Sequence, residues 1–435
     1  MARARDVKKV VVLGANGAMG AGSGEVFAAA GIPTVFLART RDKAREGLKR
    51  AEKLAKSEAL SRFISVGSYD EDLEREVADA DLVFEAVSEE LALKKVYFER
   101  IDKVRRPDAI IATVSSGLSI AAMTEGRSPG FARNFLGIHF FNPPNVIIGC
   151  ELIPHAGTDP AVTRFVSDLL TTRLGRELVE TTDTPAFCGN RVGFKVLNEC
   201  AQLAEEHGVA YIDALLGPHT GRAMAPLATI DFVGWDVHKA IVDNLVKNTR
   251  DEANATFVMP TYMQRLVDKG HLGDKTPERG GFVMRTGKGK ETKAFVLDPR
   301  RGEYAAATPV TIPEVAAKMT RLHRVGRYRE AFDVFAEADG ADATLLRKVI
   351  LGYVSYGLGR VGEVVEKPAD VDRIMGFGFN WAPPSVLVDV IGAKRTVKLL
   401  EAAKLPVPRV VTAAAEQNQK LYDEPNVDIG RFFQA

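Results

Sequence analysis

The chain has 435 residues, 46% hydrophobic and 26% charged, an ordinary globular composition with room for two or three domains. With 58 basic and 57 acidic side chains the formal charge is +1, which excludes a polybasic surface for nucleic acid or anionic lipid. Three cysteines (Cys150, Cys188, Cys200) cannot build a disulfide framework, and no Cys/His cluster has metal-ligand spacing; a reducing, cytoplasmic setting is expected.

Arg3, Arg5, Lys8 and Lys9 precede an apolar stretch, as in a secretory signal. Gly14, Asn16, Gly17 and Glu25 interrupt it, so it reads as a strand and a turn, and the chain as soluble, untargeted and without a membrane partner. Val10–Leu13 (VVVL) is a β-branched run suited to a strand buried on both faces. An apolar helical segment from Ala18 to Ala30 stops at Gly31. Thr34–Leu37, Leu82–Ala86, Ile110–Thr113 and Phe135–His139 read as further strands, separated by charged helical stretches such as Arg41–Arg62 and Leu91–Arg105. This alternation predicts a Rossmann-like, doubly wound parallel sheet over about the first 185 residues. Beyond Asn190 helical periodicity takes over to about Lys269. Gly270 to about Pro309 predicts turns and a small hairpin, with the basic Gly287–Lys290 segment as a solvated turn. All-α structure follows.

Gly14-Ala-Asn-Gly17-Ala-Met19-Gly20 joins the first strand to the first helix. Glycines there permit a tight turn and close approach of backbone N–H groups to a pyrophosphate at a helix N-terminus. The loop is one residue longer than G-x-G-x-x-G. The second strand ends Leu37-Ala38-Arg39, with no carboxylate for the ribose hydroxyls; an arginine there attracts a 2′-phosphate. The cofactor expectation is therefore NAD or NADP, with NADPH at least accepted.

Three segments place polar residues where a core would exclude them. Ser115-Ser116 follows a strand, His139 ends one, and Asn142-Pro143-Pro144 comes next. Glu151 lies inside Val146–Ile153 (VIIGCELI), a run so apolar that the carboxylate is expected to be buried and to need a donor or cation. Ser, His and Glu also suggest a hydrolase triad, but no G-x-S-x-G elbow is present.

SSGLSI, HFFNPP, Glu151 twelve residues after His139, and DTPAFCGNR (Asp183–Arg191) together resemble the L-3-hydroxyacyl-CoA dehydrogenases of fatty-acid β-oxidation. The resemblance covers the first 300 or so residues. It implies His139 as general base, Glu151 as its carboxylate partner, and Ser115 and Asn190 as substrate-positioning groups. It implies cofactor contacts from Gly14, Gly17, Met19, Gly20, Glu89, Lys94 and Asn142, with Arg39 added from the reading of the second strand, no metal, and an acyl-CoA substrate. The family's ribose-binding aspartate falls on Ala38. Arg41, Lys43 and Arg45 are candidates for the CoA phosphates. Alternatives are another β-hydroxyacid dehydrogenase, which would use a lysine base, and a catalytically silent protein of the lens-crystallin kind.

The two helical blocks look duplicated. Asp213, Gly217, Pro226, Asp231 and Gly234 recur as Asp372, Gly376, Pro384, Asp389 and Gly392, with the spacing P-x4-D-x2-G kept. The expected domains are 1–187 (dinucleotide-binding), 188–310 (helical, with the hairpin) and 311–435 (second helical copy). A second copy that covers the apolar face of the first favours a monomer over a homodimer.

Overall fold

The computed structural model describes residues 6–287, 289–422 and 429–433. The chain divides into two compact units, Met1–Phe187 and Cys188–Ala435. Of the basic residues near the start, Arg3 and Arg5 lie outside the described residues, while Lys9 is ion-paired with Glu76 at 2.8 Å. Lys288 also lies outside them.

The first unit runs β1 (Val10–Leu13), α1 (Ala18–Ala29), β2 (Thr34–Ala38), α2 (Arg41–Ala55), β3 (Ile64–Ser68), α3 (Tyr69–Ala78), β4 (Leu82–Glu85), α4 (Leu91–Val104) and β5 (Ile110–Thr113). It continues with α5 (Ile120–Thr124), α6 (Pro129–Arg133), β6 (Phe135–Phe140), β7 (Gly149–Pro154), α7 (Pro160–Asp168) and β8 (Glu177–Glu180). The strand order is β3-β2-β1-β4-β5-β6-β7-β8. The first six strands are parallel, and the order reverses between β1 and β4, the crevice where open α/β sheets take their ligands. Every residue of β1 is buried, as its unbroken β-branched pattern requires.

The sheet departs from the all-parallel expectation at β7, which runs antiparallel to β6. Residues 141–148 are too short for a crossover helix, so the chain can only turn back on itself. β3, β7 and β8 were not read as strands, because β3 and β8 lack both clean alternation and a long apolar run. The helical stretch expected over Arg41–Arg62 breaks at Lys56, which is left-handed (φ 52°).

The second unit comprises α8 (Gly189–His207), α9 (Val209–Leu215), α10 (Pro226–Val233), α11 (Trp235–Asn248) and α12 (Thr261–Asp268), then β9 (Val283–Thr286), β10 (Lys293–Asp298) and β11 (Glu303–Ala306). The three strands form one antiparallel sheet where a hairpin was expected. Then come α13 (Glu314–Arg324), α14 (Tyr328–Glu337), α15 (Ala341–Gly359), α16 (Pro368–Phe377), α17 (Pro384–Ile391), α18 (Ala393–Ala402) and α19 (Arg409–Gln417).

The repeated residues do the same work in both copies. Asp213 accepts from Leu227 N–H (2.8 Å) at the start of α10, and Asp372 from Ser385 N–H (3.0 Å) at the start of α17. Asp231 accepts from Phe282 and Val283 N–H, Asp389 from Leu421 and Tyr422 N–H. Gly234 and Gly392 share positive φ values of 96° and 95°, which explains glycine at both turns. Burial raises the carboxyls of Asp213 and Asp372 to about 7 in each case. The two helical blocks meet at α8 and α15: Arg191 reaches Glu363 (2.7 Å) and the Tyr356 hydroxyl (3.1 Å) of the second block, and Asp251 (2.8 Å) of its own. Phe379 lies so close to Gly193 that a Cβ there would meet its ring at 2.3 Å.

Candidate active site

The glycine loop stands at the C-terminal end of β1, where the strand order reverses. Gly14 has φ +76°, and a Cβ on it would meet Ala86 O at 2.1 Å; a Cβ on Gly20 would meet Gly14 O at 2.2 Å. Only glycine fits either place. Gly17 is different: a Cβ would find nothing nearer than Gly14 O at 3.3 Å, so its outer side is open to a ligand. The N-terminal end of α1 follows directly, with no side chain capping it. A loop of this form fits the pyrophosphate of a dinucleotide. The Tyr69 hydroxyl accepts from Gly14 N–H at 2.8 Å, a fastening absent from the sequence reading.

Along the same edge, in sheet order, β4 ends in Glu85 and leads to Glu89, β5 leads to Ser115, and β6 carries His139. The antiparallel pairing of β6 and β7 sets His139 directly opposite Glu151. His139 Nδ1–H donates to Glu151 Oε2 at 2.7 Å, with Glu151 fully buried and His139 3% exposed. The carboxylate fixes the tautomer and leaves Nε2 as the basic nitrogen. Phe141 and Phe187 wall the imidazole at centroid distances of 4.9 and 5.7 Å. Ala186 and Phe187 both adopt left-handed backbone (φ 60° and 53°), an unfavourable conformation for a bulky residue that sets the ring against His139.

Ser115 and Glu89 come together. The Ser115 hydroxyl donates to Glu89 Oε1 at 2.5 Å, and Ser116 N–H donates to the same oxygen at 2.8 Å. Lys94 is placed differently from the expectation of a direct cofactor contact. Its side chain is 1% exposed and its ammonium is gripped by both oxygens of Glu85 at 2.9 Å, with Glu89 Oε2 at 3.3 Å. Thr113 Oγ1 (2.6 Å) and Val87 N–H (2.6 Å) complete the donors to Glu85. Lys94 thus links Glu85 to Glu89 and, through Glu89, to Ser115. Glu85 and Thr113 were missed, although Glu85 carried the signal that singled out Glu151, a carboxylate inside an apolar strand.

Asn142 is exposed in a loop whose Pro144 rests on α1, close enough that a Cβ on Gly22 would meet its ring at 2.8 Å. Arg176 ties this loop down by donating to Pro144 O (2.7 Å) and Ile147 O (3.1 Å). Asp183 caps α5, accepting from Ile120 N–H and Ala121 N–H at 2.8 Å each. Asn190 is buried in the first turn of α8, in the second unit. Arg41, Lys43 and Arg45 are each held by carboxylates (Asp72, Glu46 and Asp42), which weakens their candidacy for CoA phosphates. Burial pushes the thiols of Cys150 and Cys200 up, so neither is a nucleophile. Among the described residues no His/Cys/Asp/Glu group could hold a metal, and no helix is long and apolar enough to cross a membrane.

Residues 9–184 match the family described as "3-hydroxyacyl-CoA dehydrogenase, NAD binding domain", and residues 187–282 match "3-hydroxyacyl-CoA dehydrogenase, C-terminal domain". The chain is 28% identical to the "Probable 3-hydroxyacyl-CoA dehydrogenase" of Bacillus subtilis, over 97% of its own length but only 56% of that relative's. It is 35% identical to a protein of the same name from Deinococcus radiodurans, over 66% of this chain and 85% of the relative. The solved structure of 3-hydroxybutyryl-CoA dehydrogenase from Escherichia coli shares the fold, with a TM-score of 0.67 at 22% identity, covering 95% of this chain and 99% of that one. Glycine loop, helical second unit and both family matches agree: the chain belongs to the 3-hydroxyacyl-CoA dehydrogenase family.

Proposed function

We propose that this chain interconverts a 3-hydroxyacyl-CoA and the corresponding 3-ketoacyl-CoA, with His139 as the base oriented by Glu151. The observation that supports it most is the 2.7 Å bond between His139 Nδ1 and a fully buried Glu151, at the sheet edge that also carries the glycine loop. In oxidation, His139 Nε2 takes the proton of the 3-hydroxyl. Glu151 holds the ring in the accepting tautomer and stabilises the imidazolium that forms, the part played by the acid of a hydrolytic triad. A nicotinamide dinucleotide, when bound in the glycine loop, supplies the hydride acceptor or donor. In reduction, the same imidazolium returns the proton to the 3-oxygen.

Ser115 positions the 3-oxygen, with its hydroxyl set by Glu89 and, behind Glu89, by Lys94. Asn142 and Glu89 line the cofactor side, and Asn190, carried by the second unit, is assigned on the resemblance alone. Turnover of acetoacetyl-CoA, followed by nicotinamide absorbance, tests the reading. No turnover by the folded protein would leave the silent, crystallin-like alternative in its place.

The second unit reads as two copies of one helical domain, 188–310 and 311–435. The second copy occupies the face of α8 that a separate subunit would otherwise cover, so the full chain is proposed to be a monomer. Light scattering should return the mass of one chain, 47.3 kDa. A dimer mass would refute that assignment.

A further inference from the structure

Ser115 can hold a substrate oxygen only if the loop that carries it is itself held. Residues 114–119 join β5 to α5. At the near end Ser115 N–H donates to Thr113 Oγ1 at 3.2 Å. In the middle Ser116 N–H donates to Glu89 Oε1 at 2.8 Å, and Leu118 N–H donates to the Ser115 hydroxyl at 3.1 Å. The far end is gripped by Asp183, more than sixty positions further along the chain. Its Oδ1 accepts from Ile120 N–H at 2.8 Å, and its Oδ2 accepts from Ala121 N–H at 2.8 Å and from the Ser119 hydroxyl at 3.0 Å. One carboxylate thus takes donors from three consecutive residues just beyond Ser115. The helix they open, α5, is five residues long, too short to fix its own start.

The segment that supplies Asp183 also borders the base. Thr184 N–H donates to Thr182 O at 2.8 Å and Phe187 N–H to Thr184 O at 3.0 Å, a tight turn that ends in the left-handed pair Ala186 and Phe187. The Phe187 ring then lies 5.7 Å from the His139 imidazole, centroid to centroid. Residues 183–187 therefore touch the anchor of Ser115 at one end and the wall of His139 at the other. A displacement of this short strap moves the two side chains out of register with each other.

We propose that Asp183 is a positioning residue of the reaction: by gripping residues 119–121 it sets the Ser115 hydroxyl in register with His139. It acts through Ser115 and not on the reacting atoms. The inference rests on the reading of Ser115 as the group that positions the 3-oxygen. Hydrogen bonds from backbone N–H groups to a carboxylate are charge-assisted and directional, which suits the carboxylate to hold a loop in one place.

The test measures kcat for acetoacetyl-CoA reduction and the dissociation constant of the dinucleotide in Asp183→Asn, Ser115→Ala and the double variant of the full chain. Asparagine keeps the shape of the side chain but turns an amide NH2 toward a backbone N–H, donor against donor. Asp183→Asn should lower kcat roughly tenfold and Ser115→Ala roughly 100-fold, each with dinucleotide affinity within about twofold of the parent. Groups that act as one unit are not additive, so the double variant should match Ser115→Ala within about twofold. Ser119→Ala, which removes one of the three bonds to Asp183, should show a smaller loss with the same non-additivity, and it carries the test if Asp183→Asn does not fold. Multiplied losses of about 1000-fold in the double variant, an unchanged kcat in folded Asp183→Asn, or an equal fall in dinucleotide affinity overturns the inference and leaves the dehydrogenase reading intact. Full turnover by Ser115→Ala removes the role of Ser115 and this inference with it, and a parent without turnover removes the dehydrogenase reading itself.

Discussion

Replacing Glu151 by Gln keeps the volume of the side chain and removes its charge. The amide occupies the same place and can still hydrogen-bond the imidazole, so the fold should persist, with a melting temperature within about 3 °C of the parent. The cost appears as the proton reaches Nε2. The ring then becomes a cation 3% exposed, facing an amide where a carboxylate stood 2.7 Å away. A hydrogen bond to a charged group contributes about 1.5–3 kcal/mol, and at about 1.36 kcal/mol per tenfold this alone is roughly 10- to 150-fold in kcat. The amide NH2 can also donate to Nδ1, favouring the tautomer whose proton occupies Nε2 and which cannot accept one. Both effects together put the loss on the order of a thousandfold. The assay is kcat for acetoacetyl-CoA reduction beside the dissociation constant of the dinucleotide, which should hardly move. A loss in kcat below tenfold in a well-folded variant would refute the orienting role of Glu151.

His139→Gln should depress kcat by roughly 100-fold or more while cofactor affinity stays within about twofold; equal losses of both would mark a structural histidine. Glu85→Ala leaves the Lys94 ammonium buried without its bidentate partner and should cost about 3–5 kcal/mol in urea denaturation. Adding Lys94→Met to it should restore part of that loss, and no recovery would contradict the pairing. Gly193→Ala must displace the Phe379 ring and should destabilise by roughly 1–3 kcal/mol in thermal melts, and an unchanged melting temperature would show that the copies are not packed this closely. Burial lowers His238 from 6.5 to about 3, so below 6.5 the unfolded chain takes up a proton that the folded chain refuses. Its share of stability is complete above 6.5 and is lost as pH falls toward 3. His238→Gln should therefore remove about 2 kcal/mol of the decline between about pH 6.5 and about pH 5, measured by urea denaturation at each pH.

Much of the molecule is written locally. A β-branched run before a glycine turn is enough to place β1, the loop and α1, because burial on both faces and positive φ are properties of short segments. The duplicated glycines were legible for the same reason, since Gly234 and Gly392 each make a turn in place; of the aspartates only the repeated spacing was legible, because their partners lie 13 to 52 residues away. Glu151 could be marked as needing a partner, since a carboxylate in an apolar strand has no other way to be buried.

Which partner it takes was decided by the tertiary structure. Residues 141–148 turn the chain back, and antiparallel register then sets Glu151 opposite His139; a one-residue slip would have put it on the other face. Lys94 was marked only by the family resemblance, as a cofactor contact, and its capture by Glu85 depends on how α4 folds back over the end of β4. Arg39 was marked by its place after the second strand, but that its neighbours Arg41, Lys43 and Arg45 are paired with carboxylates was decided by the fold. Charge pairing, burial and strand register join residues distant in sequence, and only the folded chain brings them within reach of one another.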